Sequence, residues 1–557
     1  MLTDLRKEVT ITDPQISPNG NSIAILVGRS DFEHDTVPVH IVMVNVESDT
    51  TRTLPIPATE IVSVRWSPHG DRIAFLAAQA DDSRQLYVAS PDGTNLRKLT
   101  SNPQGVDYFS WRPDGHALGY AAQDSPPKKY GPDRFNKSFI VGDNDYLATA
   151  RPLPAHLWVV SASTGKSTPL TTGTSIVPSG GFIEPAHYPD HFFCWVRGGR
   201  SIVYTKAPDA YAPHWTRSVM EVRDLSTGAE RRLTRHAGLE AGCDVSPDGR
   251  RVAYWYPHAG APLGASVIFV ANPSARGDGA AVSDALDRSP WVVRWIPAGT
   301  SLLIVGHDGT RERMWLTALD GSVRRLEIGD LNASGASVSR SGAIAFTASG
   351  PQRPTELYVM PSSSAAPRRL TNLNTFFSTL HLGAVGRIEW RNDGFDENGV
   401  LTYPPDFVAG KKYPLVLQIH GWPQYASHEA FDTDYPGLTQ LLAAHGYVVF
   451  EPNYRGSDNM GSAFESAITG DTVEGPSRDI MAGIEAVKAL GIVDESRIGV
   501  SGWSYGGQLT AWLIGHHAWR AAMAGAAPTD QAVDYAISSY NVLGTLFLDG
   551  PAWQSKT

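Results

Sequence analysis

The sequence is poor in cysteine and has no long hydrophobic run. Its 557 residues contain only Cys194 and Cys243, so we expect no disulfide framework and two free thiols, which fit a reducing compartment. Apolar residues never run together for the length that a membrane-spanning helix needs, and the start of the chain lacks the apolar core of a signal peptide. These absences predict a soluble cytoplasmic protein without a membrane partner.

Basic charge is also scarce. The chain has 47 Lys and Arg against 57 Asp and Glu, a net charge of −10, and no basic cluster is dense enough to follow a phosphate backbone. A nucleic-acid partner is therefore not expected. The length exceeds what one hydrophobic core usually organises, so the sequence predicts two or more domains.

A turn followed by a short apolar strand recurs seven times in the first two thirds of the chain. The copies start near residues 17, 67, 112, 197, 246, 296 and 339. Pro and Gly suit a tight turn, because Pro presets φ and Gly adopts positive φ. Repeats of this length with about four strands each predict an all-β propeller of seven blades over residues 1–371, with an insertion at residues 123–146. A β-sandwich is the alternative, but it does not explain so regular a period.

The pattern changes after Thr371. Residues 372–386 are predicted to form a connector, and residues 387–557 alternate apolar strands with helical segments, which indicates a parallel sheet covered by helices. A strand at residues 497–501 precedes a sharp turn and a helix at residues 505–516. We therefore predict an α/β-hydrolase domain after the propeller.

The turn between that strand and helix carries the candidate nucleophile, Ser504. The letters G-W-S-Y-G-G match the G-x-S-x-G elbow of α/β-hydrolases in its expected strand–turn–helix context. A side chain at either outer glycine of the motif would clash in so sharp a turn. The helix N-terminus favours a developing anion beside Ser504. The predicted elbow residues around it are Gly502, Trp503, Gly506 and Gly507.

Two backbone groups are candidates for an oxyanion hole. α/β-Hydrolases place one donor at the residue after the nucleophile and another in the loop after the third strand. In this sequence, those positions are Tyr505 and Trp422, the second within H-G-W-P at His420–Pro423.

Three motifs in order carry a family resemblance. H-G-W-P, N-Y-R-G-S at Asn453–Ser457 and G-W-S-Y-G-G, together with the seven repeats, resemble the prolyl oligopeptidase family, nearest to its acylaminoacyl-peptidase and dipeptidyl-peptidase-like branch. The usual strings in that family are H-G-G-P and N-P-R-G-S, so Trp422 and Tyr454 depart from the pattern. Trp422 keeps its backbone N–H, so an oxyanion role survives while the pocket wall changes.

The resemblance implies hydrolysis of peptide bonds through an acyl-enzyme on Ser504, with the propeller limiting access to short or unfolded peptides. His420, Tyr454 and Arg455 are candidate substrate-binding residues. The structural alternatives are that His420 is a packed, hydrogen-bonded side chain and that Arg455 pairs with a local carboxylate.

The triad partners of Ser504 are not found in the sequence. In this fold, an Asp and then a His follow the nucleophile, and each strand-plus-helix step takes roughly 25 to 30 residues. The chain after Ser504 has room for neither partner, so we expect an incomplete hydrolase domain that is weakly active or inactive alone. Asp530 follows a strand one step too early, and His516 and His517 lie at the far end of the helix that Ser504 begins. His428 with Glu429 is predicted to be a solvated loop.

Two other functions stay open at this stage: an esterase of the same fold, and a non-catalytic binding protein that uses the propeller surface. The sequence indicates no metal site and no cofactor. A peptide is the expected partner, and a homo-oligomer is compatible with the sequence.

Overall fold

The computed structural model of the protein describes residues 2–58, 60–78, 83–142, 148–178, 192–431, 438–537 and 541–554. Seven four-stranded antiparallel sheets are followed by one six-stranded mixed sheet. The predicted order of a seven-bladed propeller followed by an α/β-hydrolase region is confirmed.

Each propeller blade is built from four consecutive strands. Their bounds are, from blade 1 to blade 7, β1–β4 (Val9–Ile16, Ser22–Arg29, Val39–Asn45, Thr51–Thr53), β5–β8 (Glu60–Trp66, Ile73–Ala78, Gln85–Ala89, Arg97–Lys98), β9–β12 (Tyr108–Trp111, Ala117–Gln123, Ala155–Ser161, Ser167–Pro169), β13–β16 (Phe193–Val196, Ser201–Lys206, Val219–Asp224, Glu230–Arg232), β17–β20 (Ala241–Val245, Val252–Pro257, Ser266–Ala271, Ala280–Ala281), β21–β24 (Pro290–Trp295, Ser301–Asp308, Arg311–Ala318, Val323–Arg325) and β25–β28 (Asn332–Val338, Ile344–Gly350, Arg353–Met360, Arg368–Arg369).

The repeated turn joins the first strand of a blade to the second. In blade 1, the N–H of Gly20 donates to the carbonyl of Ser17 at 2.9 Å, and Gly20 has φ 81°. This conformation is one that glycine adopts without the Cβ penalty of other residues. The predicted insertion lies between β10 and β11 of blade 3, and its residues 143–146 fall outside the described residues.

The blades close into a ring through their first strands. Each first strand contacts the first strand of the next blade, and β1 contacts β25. The backbone N–H of Ile16 donates to Ser337 Oγ across that closing contact at 2.9 Å. The ring is therefore closed by hydrogen bonds and apolar packing between blades 1 and 7.

Cys194 and Cys243 form a disulfide, so the prediction of two free thiols is wrong. Cys194 lies in β13 and Cys243 in β17, the first strands of neighbouring blades. Their separation of 49 residues is about one repeat, which brings equivalent positions side by side. The pairing therefore follows from the propeller geometry, which a count of cysteines does not contain.

The second region is a mixed sheet with strand order β29-β30-β32-β31-β33-β34. Its strands are β29 (Val385–Asn392), β30 (Phe395–Thr402), β31 (Tyr413–Ile419), β32 (Val448–Asn453), β33 (Val493–Trp503) and β34 (Ala521–Gly525). The last four pair in parallel, as the alternating pattern predicted. The antiparallel β29–β30 hairpin, which extends the sheet at one edge, was not predicted.

Six helices accompany this sheet in the described part of the chain. They are α1 (Thr439–Ala444), α2 (Ser462–Ser466), α3 (Glu474–Ala489), α4 (Tyr505–His516), α5 (Gln531–Ile537) and α6 (Asn541–Phe547). The main apolar core lies between the sheet and α3 and α4, where Leu417, Phe450 and Leu509 are fully buried. Among the described residues, no helix is long and apolar enough to cross a membrane.

Candidate active site

Ser504 lies at a strained turn between β33 and α4. Its φ and ψ are 55° and −120°, a conformation that costs energy for a residue with a side chain. The N–H of Ser504 donates to the Gly525 carbonyl at 2.9 Å, and the Gln508 N–H donates to the Ser504 carbonyl at 3.0 Å. These hydrogen bonds hold the turn, and the Ser504 side chain is exposed at the N-terminus of α4.

The glycines of the elbow are required by close backbone approaches. A Cβ on Gly502 would collide with the carbonyl of Gly506, and a Cβ on Gly506 would collide with the carbonyls of Ile419 and His420. The turn, β31 and α4 can therefore come together only if both positions lack a side chain.

The loop after β31 passes directly over Ser504. A Cβ placed on Gly421 would lie 2.9 Å from the Trp503 carbonyl oxygen and 3.4 Å from Ser504 Cβ. The next residue, Trp422, has φ 41°. Neither the Trp422 N–H nor the Tyr505 N–H donates a hydrogen bond to any of the described residues. Tyr505 follows Ser504 and Trp422 follows the glycine that approaches it; their role as oxyanion donors stays a prediction.

Ser504 faces a cavity of about 560 Å³ between the two regions. The volume is within the range of small-molecule sites, about 300 to 1,000 Å³. The mixed sheet and its loops contribute His420, Trp422, Trp503 and Met523, among others, and the propeller contributes Glu312 and Ser349. Both regions therefore line the cavity in front of Ser504.

His420 is a packed histidine with both ring nitrogens engaged. Its Nδ1 lies 2.9 Å from the Gly421 carbonyl oxygen, and its Nε2 lies 3.1 Å from Ser457 Oγ. The Tyr454 hydroxyl donates to the His420 carbonyl at 2.7 Å, and the two rings stack with centroids 4.3 Å apart. Burial lowers the pKa of His420 to about 4. The imidazole is therefore neutral and positions the loop above Ser504.

The other two candidate substrate-binding residues do not line the cavity. Tyr454 is fully buried. Arg455 donates from Nε and Nη2 to Asp479, at 2.7 and 2.6 Å, and from Nη2 to Asp393 at 2.7 Å. These contacts tie β32 to α3 and to the β29–β30 hairpin. Contact of Tyr454 or Arg455 with substrate stays a prediction.

The chain that follows Ser504 offers no acid–base partner among the described residues. Asp530 accepts a hydrogen bond from the Val533 N–H at 2.9 Å, at the start of α5. His516 donates from Nδ1 to the Trp512 carbonyl at 2.7 Å and stacks on that indole. Within the described ranges, no histidine nitrogen or carboxylate forms a hydrogen bond with Ser504 Oγ.

Glu429 is buried and His428 is partly buried, so their prediction as a solvated loop is wrong. Glu429 accepts from Arg311 at 2.9 Å and from Thr310 Oγ1 at 2.8 Å, both in or beside blade 6. Its partners lie 118 and 119 residues earlier in the chain, a distance at which no local pattern could signal the contact.

A second group that sequence reasoning missed lies beside this loop. His307 Nδ1 lies 2.7 Å from Asp458 Oδ1 across the boundary between blade 6 and the mixed sheet. Burial, and then the nearby Asp458 charge, raise the pKa of Glu312 to about 8. The propeller wall of the cavity therefore contains a carboxyl group with a raised pKa, Glu312, and the buried His307 lies beside it.

Known proteins resemble this chain over nearly its whole length. Residues 434–555 match the sequence profile of the prolyl oligopeptidase family. The uncharacterized peptidase YuxL of Bacillus subtilis is 28% identical over 99% of this chain and 84% of that protein. Dipeptidyl-peptidase 5 of Porphyromonas endodontalis is 26% identical over 90% of this chain and 74% of that protein. The solved acylaminoacyl peptidase of Pyrococcus horikoshii has the same fold, with a TM-score of 0.80 and 19% identity over 100% of this chain and 83% of its own.

Proposed function

We propose that this chain, which belongs to the prolyl oligopeptidase family and is a serine peptidase, uses Ser504 to cleave short peptides that enter the cavity below the propeller. The observation that carries the proposal is the strained conformation of Ser504 at the start of α4. Backbone strain of this kind persists only where the surrounding structure enforces it, and strained residues are concentrated at active sites.

The proposed first step is acyl transfer. Ser504 Oγ attacks the scissile carbonyl carbon, its proton passes to the leaving amine, and the amine departs to leave an ester on Ser504. Water then adds to that ester and releases the acid product and the free hydroxyl. The Tyr505 and Trp422 N–H groups would donate to the oxyanion in both steps, and one such donor contributes about 3 kcal/mol to transition-state binding.

Proton transfer is the weak part of this site. The described residues place no base within hydrogen-bonding contact of Ser504 Oγ, and both ring nitrogens of His420 are engaged elsewhere. Without a base, binding and the oxyanion donors alone still accelerate the reaction, but by orders of magnitude less than a complete triad does. We therefore propose slow turnover for the chain of this sequence.

The substrate class follows from the cavity and from the relatives. A volume of about 560 Å³ accommodates a few residues, and the propeller covers one side. The names dipeptidyl-peptidase 5 and acylaminoacyl peptidase favour cleavage near a peptide N-terminus. Comparing free-amino and N-acylated peptide p-nitroanilides of the same sequence would distinguish the two substrate classes.

A fluorophosphonate probe tests the nucleophile directly. We expect slow labelling that maps to Ser504 by mass spectrometry and disappears in Ser504→Ala. Ser501→Ala is the matched control, because Ser501 also lines the cavity but lies within β33, so its labelling should equal that of the unchanged protein. Labelling at another serine would contradict the assignment of Ser504 as the nucleophile. Rapid labelling of Ser504 would contradict the proposal that it lacks a base.

The esterase alternative is tested by the leaving group. A p-nitrophenyl ester releases a stable anion without protonation, whereas an anilide or peptide amine must gain a proton. Activity on esters that is lost in Ser504→Ala, together with no activity on peptides, would favour an esterase. No Ser504-dependent hydrolysis of either substrate would favour the non-catalytic binding protein.

The cytoplasmic location and a homo-oligomer stay predictions. The Cys194–Cys243 disulfide removes the thiol argument for a reducing compartment, since disulfides persist mainly where conditions are oxidising. Titrating the thiols of freshly isolated, denatured protein, with and without reductant, tests whether the pair is oxidised in its native compartment.

A further inference from the structure

Three side chains with metal-binding atoms meet at the propeller wall of the cavity. His307 in β22 and Glu312 in β23 are directly paired across the antiparallel ladder of blade 6. His428 reaches the same place from the loop after β31. One ligand atom from each residue lies within 4.8 Å of the others, and Glu312 and His428 line the cavity that contains Ser504.

His307 is oriented as a metal-binding histidine usually is, and His428 has a buried ring nitrogen without a hydrogen bond. The Nδ1 of His307 is held by Asp458, with both carboxylate oxygens within 2.8 Å, and its Nε2 lies on the side of Glu312, 3.9 Å from Oε1. A carboxylate on the far nitrogen fixes the tautomer and ring orientation of a ligating histidine. The Nε2 of His428 is buried and forms no hydrogen bond with any described residue, so one strong donor or acceptor at this point has no protein partner.

A second cluster of possible metal ligands in the propeller differs from this one because its polar atoms already have protein partners. His236, Glu240 and Asp278 are also close together, but Glu240 already accepts from His236 Nδ1 at 2.9 Å, from Thr234 Oγ1 at 2.6 Å and from the Met220 N–H at 2.8 Å. The His236 ring stacks on Tyr256 at 3.7 Å. This cluster satisfies its atoms internally and needs no cation.

We propose that His307, Glu312 and His428 bind one divalent transition-metal ion of the zinc class, with Asp458 as the positioning residue of His307. Two imidazole nitrogens and a carboxylate are a donor set that zinc accepts, and three protein ligands leave a fourth position for water or a substrate atom. A tetrahedral ion with bonds of about 2 Å holds its ligand atoms about 3.3 Å apart, so the three side chains need to close by about 1 Å or a little more.

The site would link the two regions of the molecule. Two ligands belong to blade 6, and the third belongs to the loop that passes over Ser504. An ion bound there holds that loop against the propeller and adds a positive centre to the cavity wall. Because the ion binds only when these elements are together, it stabilises the folded protein in proportion to its saturation. This inference does not depend on Ser504 acting as a nucleophile.

Calorimetric titration of the intact chain with ZnCl2 in a non-chelating buffer tests the site. We expect one zinc ion per chain, a rise in Tm with zinc that EDTA reverses, and binding weakened by at least about 10-fold in His428→Ala and in Glu312→Gln. His236→Ala is the matched control and should bind zinc as the unchanged protein does. Cobalt(II) in place of zinc should give the intense visible absorption of a four-coordinate ion.

Three results would overturn the proposal. They are the absence of saturable zinc binding, zinc binding that survives in both His428→Ala and Glu312→Gln, and loss of binding in His236→Ala. Circular dichroism of each variant without metal establishes that it is folded. If one ligand variant does not fold, the other variant and the cobalt spectrum of the unchanged protein decide the question.

Discussion

The two flanks of Ser504 differ sharply although both are built on strands that pair in parallel with β33. On one flank, β31 is largely buried, with Leu417 at 0% exposure, and its following loop is bound to blade 6 through Glu429. On the other flank, every residue of β34 except Gly525 is exposed, and Met523 is 44% exposed. Backbone pairing alone therefore does not make a core, because burial depends on what covers the faces of the sheet.

The two flanks of Ser504 therefore differ in how firmly they hold groups that could take part in the reaction. The flank that carries the predicted oxyanion donors is supported by packed strands, a propeller blade and an ion pair, as a preorganised site requires. The flank formed by β34 is built from exposed residues in the described part of the chain.

The sharpest way to break the ordered flank is Gly506→Ala. The new methyl group would meet the carbonyls of Ile419 and His420, and we expect a loss of about 4 kcal/mol or more in the free energy of unfolding. Gly515→Ala in the same helix is the control, since nothing lies within 4 Å of its Cβ position, and it should stabilise by about 0.5 to 1 kcal/mol. Urea unfolding followed by fluorescence measures both, and equal effects would contradict the tight approach of α4 to β31.

A pair of truncations compares the two strands directly. Leu417→Ala removes a fully buried side chain of β31 and should cost about 3 to 4 kcal/mol. Met523→Ala in β34 should change stability by less than about 0.5 kcal/mol because the side chain is already half exposed. Similar costs in denaturant unfolding would show that β34 is covered in solution.

The contact between the loop and the propeller is broken by Arg311→Ala. Glu429 would keep its charge in a buried position without its main partner, which costs about 3 kcal/mol. Arg391→Ala removes one partner of the exposed pair with Asp396 and should cost less than about 1 kcal/mol. Thermal and urea unfolding of the two variants would distinguish a buried pair from a surface pair, and equal losses would contradict the buried location of Glu429.

The smallest expected effect is a pH dependence from His420. Its folded pKa of about 4 is below the unfolded value of 6.5, so the folded state resists protonation. Its contribution is fully present above pH 6.5 and is lost as pH falls toward 4, about 2 kcal/mol of it between pH 7 and pH 5. His420→Gln should therefore lose less stability on acidification than the unchanged protein does, as measured by urea unfolding at several pH values. Parallel pH profiles would contradict a neutral, buried His420.

Much of the fold was predictable because its signals are local. The turn at Ser17–Gly20 places glycine where positive φ is needed, and this turn recurs in each repeat. The elbow is equally local, since Gly502 and Gly506 stand two residues on either side of Ser504. The β29–β30 hairpin was missed although Ile388 and Trp390 alternate with charged residues along β29, because its antiparallel pairing with β32 is a long-range contact. The prediction of free thiols failed because Cys194 and Cys243 meet only when neighbouring blades stack.

The sequence by itself determined the periodic and local features: the seven repeats, the strand–turn–helix elbow and the Tyr505 N–H that follows Ser504. These depend on φ preferences and apolar spacing within a few residues. Only the tertiary structure decided which distant side chains meet, among them His307 with Asp458, Arg311 with Glu429 and His428 with Glu312. The physical reason is that buried polar groups need partners, and the partners come from whichever elements the packing of the apolar faces brings together.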